Sequence, residues 1–251
     1  MPDKSLVAET NNVTTFGGDE RLYIVDDPGG TPADGYITSS QLVIWDGWTP
    51  VNESWAYASA STISVPTGAA ARFQKGDRLR LKQSGGTYKY WPIYSVADTL
   101  ITVIVSSDYT LANEAITDIA ISRAANPFGW PGGFNYSPTL DGFSADPASS
   151  VYRFSTVGNR IKCTIRQPTP GGTSDDTIFT ITAPCAAKTI TNQVWLGYGT
   201  GTDNGSALTT MVALFINSAS STIDARTNGA LAAWTNSGAK RIGFGSIEFE
   251  F

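Results

Sequence analysis

A chain of 251 residues with 41% hydrophobic residues can enclose one large domain or two to three small ones, and it is too apolar for a disordered chain. Charged residues make up only 16%, while Ser and Thr occupy 54 of the 251 positions, a balance that favours strands and turns over solvent-facing helices and predicts an all-β protein. The net charge of −5 repels phosphate backbones and argues against a nucleic-acid partner.

Residues 1–45 hold one apolar run, RLYIV at 21–25, that stops at the turn-rich DDPGGTP of 26–32. In the stretch that follows, Ser39 or Ser40 can cap a short helix carrying Leu42 to Trp45. This is too little apolar material for an independent core, so residues 1–45 are expected to be a segment that packs on something else.

Residues 46–125 are expected to form a compact antiparallel, barrel-like unit. In 77–83, Leu79 and Leu81 alternate with Arg78, Arg80 and Lys82, the period of a half-buried strand. Ser84, Gly85 and Gly86 turn the chain into an aromatic run over 87–96, and 100–105 returns, making a three-strand meander. Pro92 inside the middle run predicts a bulge or an edge there. Residues 126–139 are a linker, with prolines and glycines around Phe128, Trp130 and Phe134, aromatics that suggest docking on a surface.

Residues 140–251 carry strand-like runs at 151–156, 160–167, 177–183, 194–198, 209–216, 222–225 and 241–251, with turns of Gly, Asn and Asp between them. Seven short strands in this length predict a β-sandwich of jelly-roll type. In the last run Ile247, Phe249 and Phe251 alternate with Ser246, Glu248 and Glu250, so burial of Phe251 would tie residue 251 into the core.

Chemistry is bounded by what is missing. Without a single histidine there is no Ser-His-Asp or Cys-His catalysis, no His-ligated zinc and no ordinary base near neutral pH. Asp26-Asp27 and Asp175-Asp176 sit in turn sequences and Glu248 and Glu250 on a polar strand face, so none is surrounded by apolar residues as a glycosidase acid must be. A non-enzymatic protein with no metal and no cofactor is expected. If 160–167 and 177–183 pair as a hairpin with Gln167 opposite Thr177, Cys163 lies opposite Ile181, roughly 13 Å from Cys185 at the strand rise. That exceeds disulfide reach and predicts free thiols. No apolar run approaches the about 18 residues of a membrane span, and residues 1–4 lack the features of a signal peptide, so a soluble, cytosolically made protein without membrane insertion is expected.

Two polar stretches, 197–206 and 227–238, read as long surface loops, each placing an aromatic ring beside amide or carboxylate groups. Tyr198, Asp203, Asn204, Asn228 and Trp234 are accordingly the candidate binding residues, suited to stacking on a sugar while bonding its hydroxyls. The glycine-rich 197–206 is neither a phosphate loop nor a calcium turn, since no Lys-Ser or Lys-Thr follows and only Asp203 supplies a charge.

Several ordered motifs carry a resemblance: GWTPVNESWAYASAST at 47–62, FQKGDR at 73–78, YKY at 88–90, SDYT at 107–110 and AANP at 124–127, preceded by LYIVDDPGGTP at 22–32. Over roughly residues 15–135 the chain resembles a domain of tail-fibre and other minor structural proteins of tailed bacteriophages. The resemblance implies a homotrimer made in the host cytoplasm and carried on the virion. Its N-terminal segment would meet other tail or capsid proteins, and its C-terminal sandwich would face a host surface glycan or protein. A head fibre or capsid decoration protein is the alternative within that class, and a carbohydrate-binding module the alternative outside it.

Overall fold

The computed structural model describes residues 21–26, 33–38 and 46–251, in two compact units, Met1–Trp48 and Thr49–Phe251. In the first, β1 (Arg21–Asp26) pairs antiparallel with β2 (Ala33–Thr38), Arg21 opposite Thr38 and Asp26 opposite Ala33. The apolar run at 21–25 therefore falls in β1, which pairs with β2. The helix expected after Ser39 or Ser40 lies outside the described residues.

The second unit is all-β apart from the four-residue α1 (Ala69–Arg72), its sheets are antiparallel, and one of them curls into a half-barrel. One sheet has seven strands, in chain order β3 (Thr49–Pro50), β4 (Ala56–Ser59), β5 (Thr62–Ser64), β6 (Arg78–Gln83), β7 (Lys89–Val96), β8 (Leu100–Val103) and β9 (Ile116–Ser122). Their spatial order is β3-β9-β6-β7-β8-β5-β4, so the meander read from the sequence is present as β6-β7-β8. Leu79, Leu81, Trp91, Ile93, Ile63 and Ile101 form its core with Trp55 and Phe73.

Pro92 marks the corner of this sheet. Up to Pro92 the strand β7 pairs with β6, and from Ile93 it pairs with β8 across a register shift between Ile93 and Ser95. Proline has no N–H to give a ladder, and here the ladder changes partner at its position.

The remaining strands are β10 (Phe134–Asn135), β11 (Leu140–Asp141), β12 (Phe143–Ala145), β13 (Val151–Val157), β14 (Arg160–Arg166), β15 (Gly172–Ser174), β16 (Thr180–Thr182), β17 (Val194–Asp203), β18 (Ser206–Ala207), β19 (Val212–Asn217), β20 (Thr222–Arg226) and β21 (Ala239–Glu250). The main path runs β10-β13-β14-β21-β17-β19-β20-β16-β11. Inward residues from both ends of this path, Phe134 and Phe154 at one and Ile181 at the other, belong to one cluster, so the sheet closes over a shared core. Ile247, Phe249 and Phe251 are buried there in the expected alternation.

The supposed hairpin of 160–167 with 177–183 is not formed. β14 pairs instead with β13 and β21, and the three-residue β16 with β20 and β11. Cys163 thus lies opposite Phe154 and Ile247. Both cysteines are free thiols.

The two sheets meet along a seam that explains a departure from the sequence pattern. Arg78, expected on a solvent face, is buried with its guanidinium 5.2 Å from the Trp130 ring centroid and one N–H donating to the Thr156 carbonyl at 3.4 Å. Asn135 anchors the same seam, its backbone N–H and side-chain amide donating to the two oxygens of Asp108. Tyr94 stacks on Phe251 at 6.1 Å with the Lys75 ammonium over both rings. Of the four aromatics in 126–139, Trp130, Phe134 and Tyr136 pack into the core, whereas Phe128 is 80% exposed.

Candidate functional site

Residues 197–206, expected as a wide loop, are mostly strand: β17 runs unbroken to Asp203. Its glycines permit this. A Cβ on Gly197 would stand 2.2 Å from the Ser246 carbonyl oxygen and one on Gly199 2.5 Å from that of Phe244, so only glycine lets the β17 and β21 backbones come this close. What remains of the loop is a two-residue turn, Asn204 and Gly205, with φ of 46° and 76° between the paired Asp203 and Ser206. Left-handed backbone at both central residues is the hairpin geometry that an Asn-Gly pair favours.

Asp203 and Asn204 sit at one end of the larger sheet, against residues 235–238. Both carboxylate oxygens of Asp203 accept from the Thr235 N–H at 3.2 Å, and one accepts from its hydroxyl at 2.8 Å. A Cβ on Gly238 would strike the Asn204 amide oxygen at 2.1 Å, which ties the two connections together. Asn228 closes the 227–234 bend from within, its side-chain oxygen accepting from the N–H groups of Ala230 and Ala232. The groups presented outward at this end are Leu231, Asn236, Ser237 and the turn Asn204-Gly205.

Trp234 is not a surface platform. It is 2% exposed, its indole N–H donates to the Ala225 carbonyl at 2.9 Å, and its ring meets Phe179 edge-on at 5.2 Å. A large ring whose N–H finds a backbone acceptor is driven inward by its apolar area, and it anchors the bend from below. Tyr198 also stands apart from the loops. It lies on the outward face of β17, 51% exposed, opposite Ala213 and Ser246 and five residues from Asp203, roughly 16 Å along the strand.

Around Tyr198 that face carries several exposed apolar side chains among polar ones such as Ser246 and Thr200. Val194, Leu196 and Tyr198 alternate along it at 44%, 58% and 51% exposure, Phe215 lies opposite Leu196, and Phe244 of β21, opposite Thr200, is 57% exposed. A bulge in which Gly243 is skipped between the Thr200–Phe244 and Gly201–Ile242 pairs turns Phe244 outward while Lys240 and Ile242 stay inside.

Lys240 was not singled out by the sequence. It is fully buried, its ammonium donates to the carbonyls of Asp176 and Ile178 at 2.8 and 2.7 Å, and it sits 5.0 Å from the Phe143 ring centroid. Burial pulls its pKa below the usual lysine value, opposed by the charges of Asp175, Asp176, Asp203 and Asp141. Next to it the Asp176 carboxyl is held below its ordinary value by the N–H groups of Ile178 and Thr177. This cation therefore fixes the 175–178 connection beside the Asp203 end. The only trace of it in the sequence is that Lys240 shares the parity of Ile242. Among the described residues no group of three or more Cys, Asp and Glu is arranged to hold a metal, and no helix is long and apolar enough to cross a membrane.

Comparison of the chain with protein-family models, with characterised proteins and with solved structures gave no match.

Proposed function

We propose that the chain is a non-enzymatic bacteriophage virion protein, a tail-fibre or receptor-binding protein that attaches the particle to the host cell surface as a homotrimer. The observation that carries this reading is the outward apolar face of Leu196, Tyr198 and Phe244. Exposed apolar residues grouped on one sheet face mark a surface for another protein, and a second and third copy of the chain are the partners the fibre class supplies. In this reading the larger sheet is a jelly-roll-like sandwich, the N-terminal segment meets tail or capsid proteins, and the Asp203–Asn204 turn with residues 228–238 faces a host glycan or protein. Three copies would raise the avidity of individually weak contacts.

Light scattering on the purified chain tests the assembly. The expected mass is about 80 kDa, three times the 26.7 kDa chain, and Leu196→Glu with Phe244→Ser should reduce it to one chain while leaving the fold intact. A wild-type monomer at micromolar concentration would sink the trimer. Gold-labelled antibody should locate the protein on particle tails, and labelling confined to the head would favour the decoration-protein alternative.

A further inference from the structure

The smaller sheet carries a concavity that the fibre reading does not use. A groove of about 540 Å³ opens where β3 stops short along β9. β3 pairs only with Ala120 and Ile121, and the Val51 N–H adds one bond to the Ile119 carbonyl, so Ile116 to Asp118 form an edge beyond it. Asn52, Glu53, Arg80, Tyr88 and Asp118 bring side chains to the groove.

The edge is shaped against strand addition. Between the pairs Arg80–Ala120 and Lys82–Thr117 the register shifts, leaving two residues of β9 opposite one of β6, and Asp118 takes a φ of 50°. A bulge with left-handed backbone at a non-glycine residue twists an edge away from a flat partner, and such features concentrate at binding sites. An extended peptide is therefore the wrong occupant.

The side chains suit another one. The Lys82 ammonium holds one Asp118 oxygen at 2.8 Å, and the Arg80 and Lys82 cations each stand 4.7 Å from the Tyr88 ring centroid. Glu53 is engaged by Arg72 and by the Trp55 indole N–H. With each acid of the wall joined to a base, the groove offers polar partners of both senses beside an aromatic ring more than it offers a charge. A pyranose needs this combination: its hydroxyls donate to a carboxylate or amide oxygen and accept from guanidinium or amide N–H, while its C–H face packs on a ring. We infer that the groove between residues 50–54 and 116–120 binds a neutral saccharide through Asn52, Arg80, Tyr88 and Asp118.

Saturation-transfer NMR on the full chain, with the methyl glycosides of glucose, galactose, rhamnose and N-acetylglucosamine at ~10 mM, tests this in the millimolar range expected for one sugar ring. At least one glycoside should receive saturation. The exposed Asn52→Ala change and Asp118→Asn, which retains a residue tolerant of positive φ, should each reduce it at least about fivefold. Lys162→Ala, an exposed position on β14 outside both the groove and the 228–238 end, should leave it unchanged. No transfer to any glycoside, transfer that both groove variants leave intact, or preference for methyl glucuronide over the neutral glycosides would overturn the proposal. Light scattering and labelling of particles test the fibre reading without reference to glycosides, so failure here is distinct from failure of that reading.

Discussion

The Asp203 carboxylate is bonded to both the N–H and the hydroxyl of Thr235, thirty-two residues away in the chain. An acid committed in this way is first a brace between two connections, and any contact it makes to a ligand comes on top of that. Asp203→Ala should cost about 1–2 kcal/mol, the range for an exposed charge-assisted bond, and should speed proteolytic cleavage within 228–238. A urea midpoint and a cleavage pattern identical to wild type would return Asp203 to the role of an uncommitted ligand group.

Replacing Trp234 with Ala should destabilise the fold by about 3–5 kcal/mol, through the cavity beside Phe179 and the orphaned Ala225 carbonyl. Trp234→Phe should cost less, since it keeps most of the apolar volume. Thermal melting read alongside cell adsorption separates the two roles: a folded Trp234→Ala protein with full stability and no adsorption would restore Trp234 as a binding residue.

Lys240→Met tests whether the buried ammonium is structural. It would leave the carbonyls of Asp176 and Ile178 without their donor, for a loss of about 2–4 kcal/mol. Unchanged chemical denaturation would mean that the 175–178 connection is held by Asp176 and its N–H partners alone.

Stability should fall on the alkaline side. Burial pushes the Cys185 thiol from 9.0 up to about 12 and raises that of Cys163, beside the Tyr136 hydroxyl, as well. The folded thiol keeps its proton where the unfolded one has lost it, so its contribution is full below pH 9 and drains away as pH climbs toward the folded value. The slope is about 1.4 kcal/mol per pH unit for each thiol once the unfolded form is ionised. Comparing pH 8 with pH 10, Cys185→Ala should show a loss smaller by about 1 kcal/mol than wild type. Equal losses in the two proteins would show that Cys185 ionises freely in the folded state.

How much of this was legible in the sequence follows from which forces are local. Leu79 and Leu81 announce β6 and Ile247, Phe249 and Phe251 announce β21, because a strand with one buried face must alternate. The first half of β17 was read as the run 194–198, but its continuation to Asp203 was hidden by the same rule, since glycine at the inward positions 197, 199 and 201 erases the apolar signal. Partner choice was legible for the neighbouring strands of the β6-β7-β8 meander and not for distant ones: nothing local tells β14 to pair with β21, 73 positions further along from Arg166 to Ala239, in place of β16. The candidate site suffered for a related reason. Composition identifies Trp234 as an aromatic in a polar stretch, but only its neighbours Phe179 and Ala225, supplied by other strands, decide that it turns inward.

The position of β21 also sets an order of events. It stands between β14 and β17, with Ile161 opposite Phe249 on one side and Thr202 opposite Arg241 on the other. During synthesis both flanking strands emerge before it, so until β21 arrives the larger sheet can form no further than two fragments with a vacant lane between them. Closure happens at the centre and not at the rim, and it waits for ribosomes to deliver residues 239–250. Until then β14 and β17 each carry an unpaired edge, which makes a chain stalled upstream of Ala239 the form most exposed to chaperones and to sticking to its own copies.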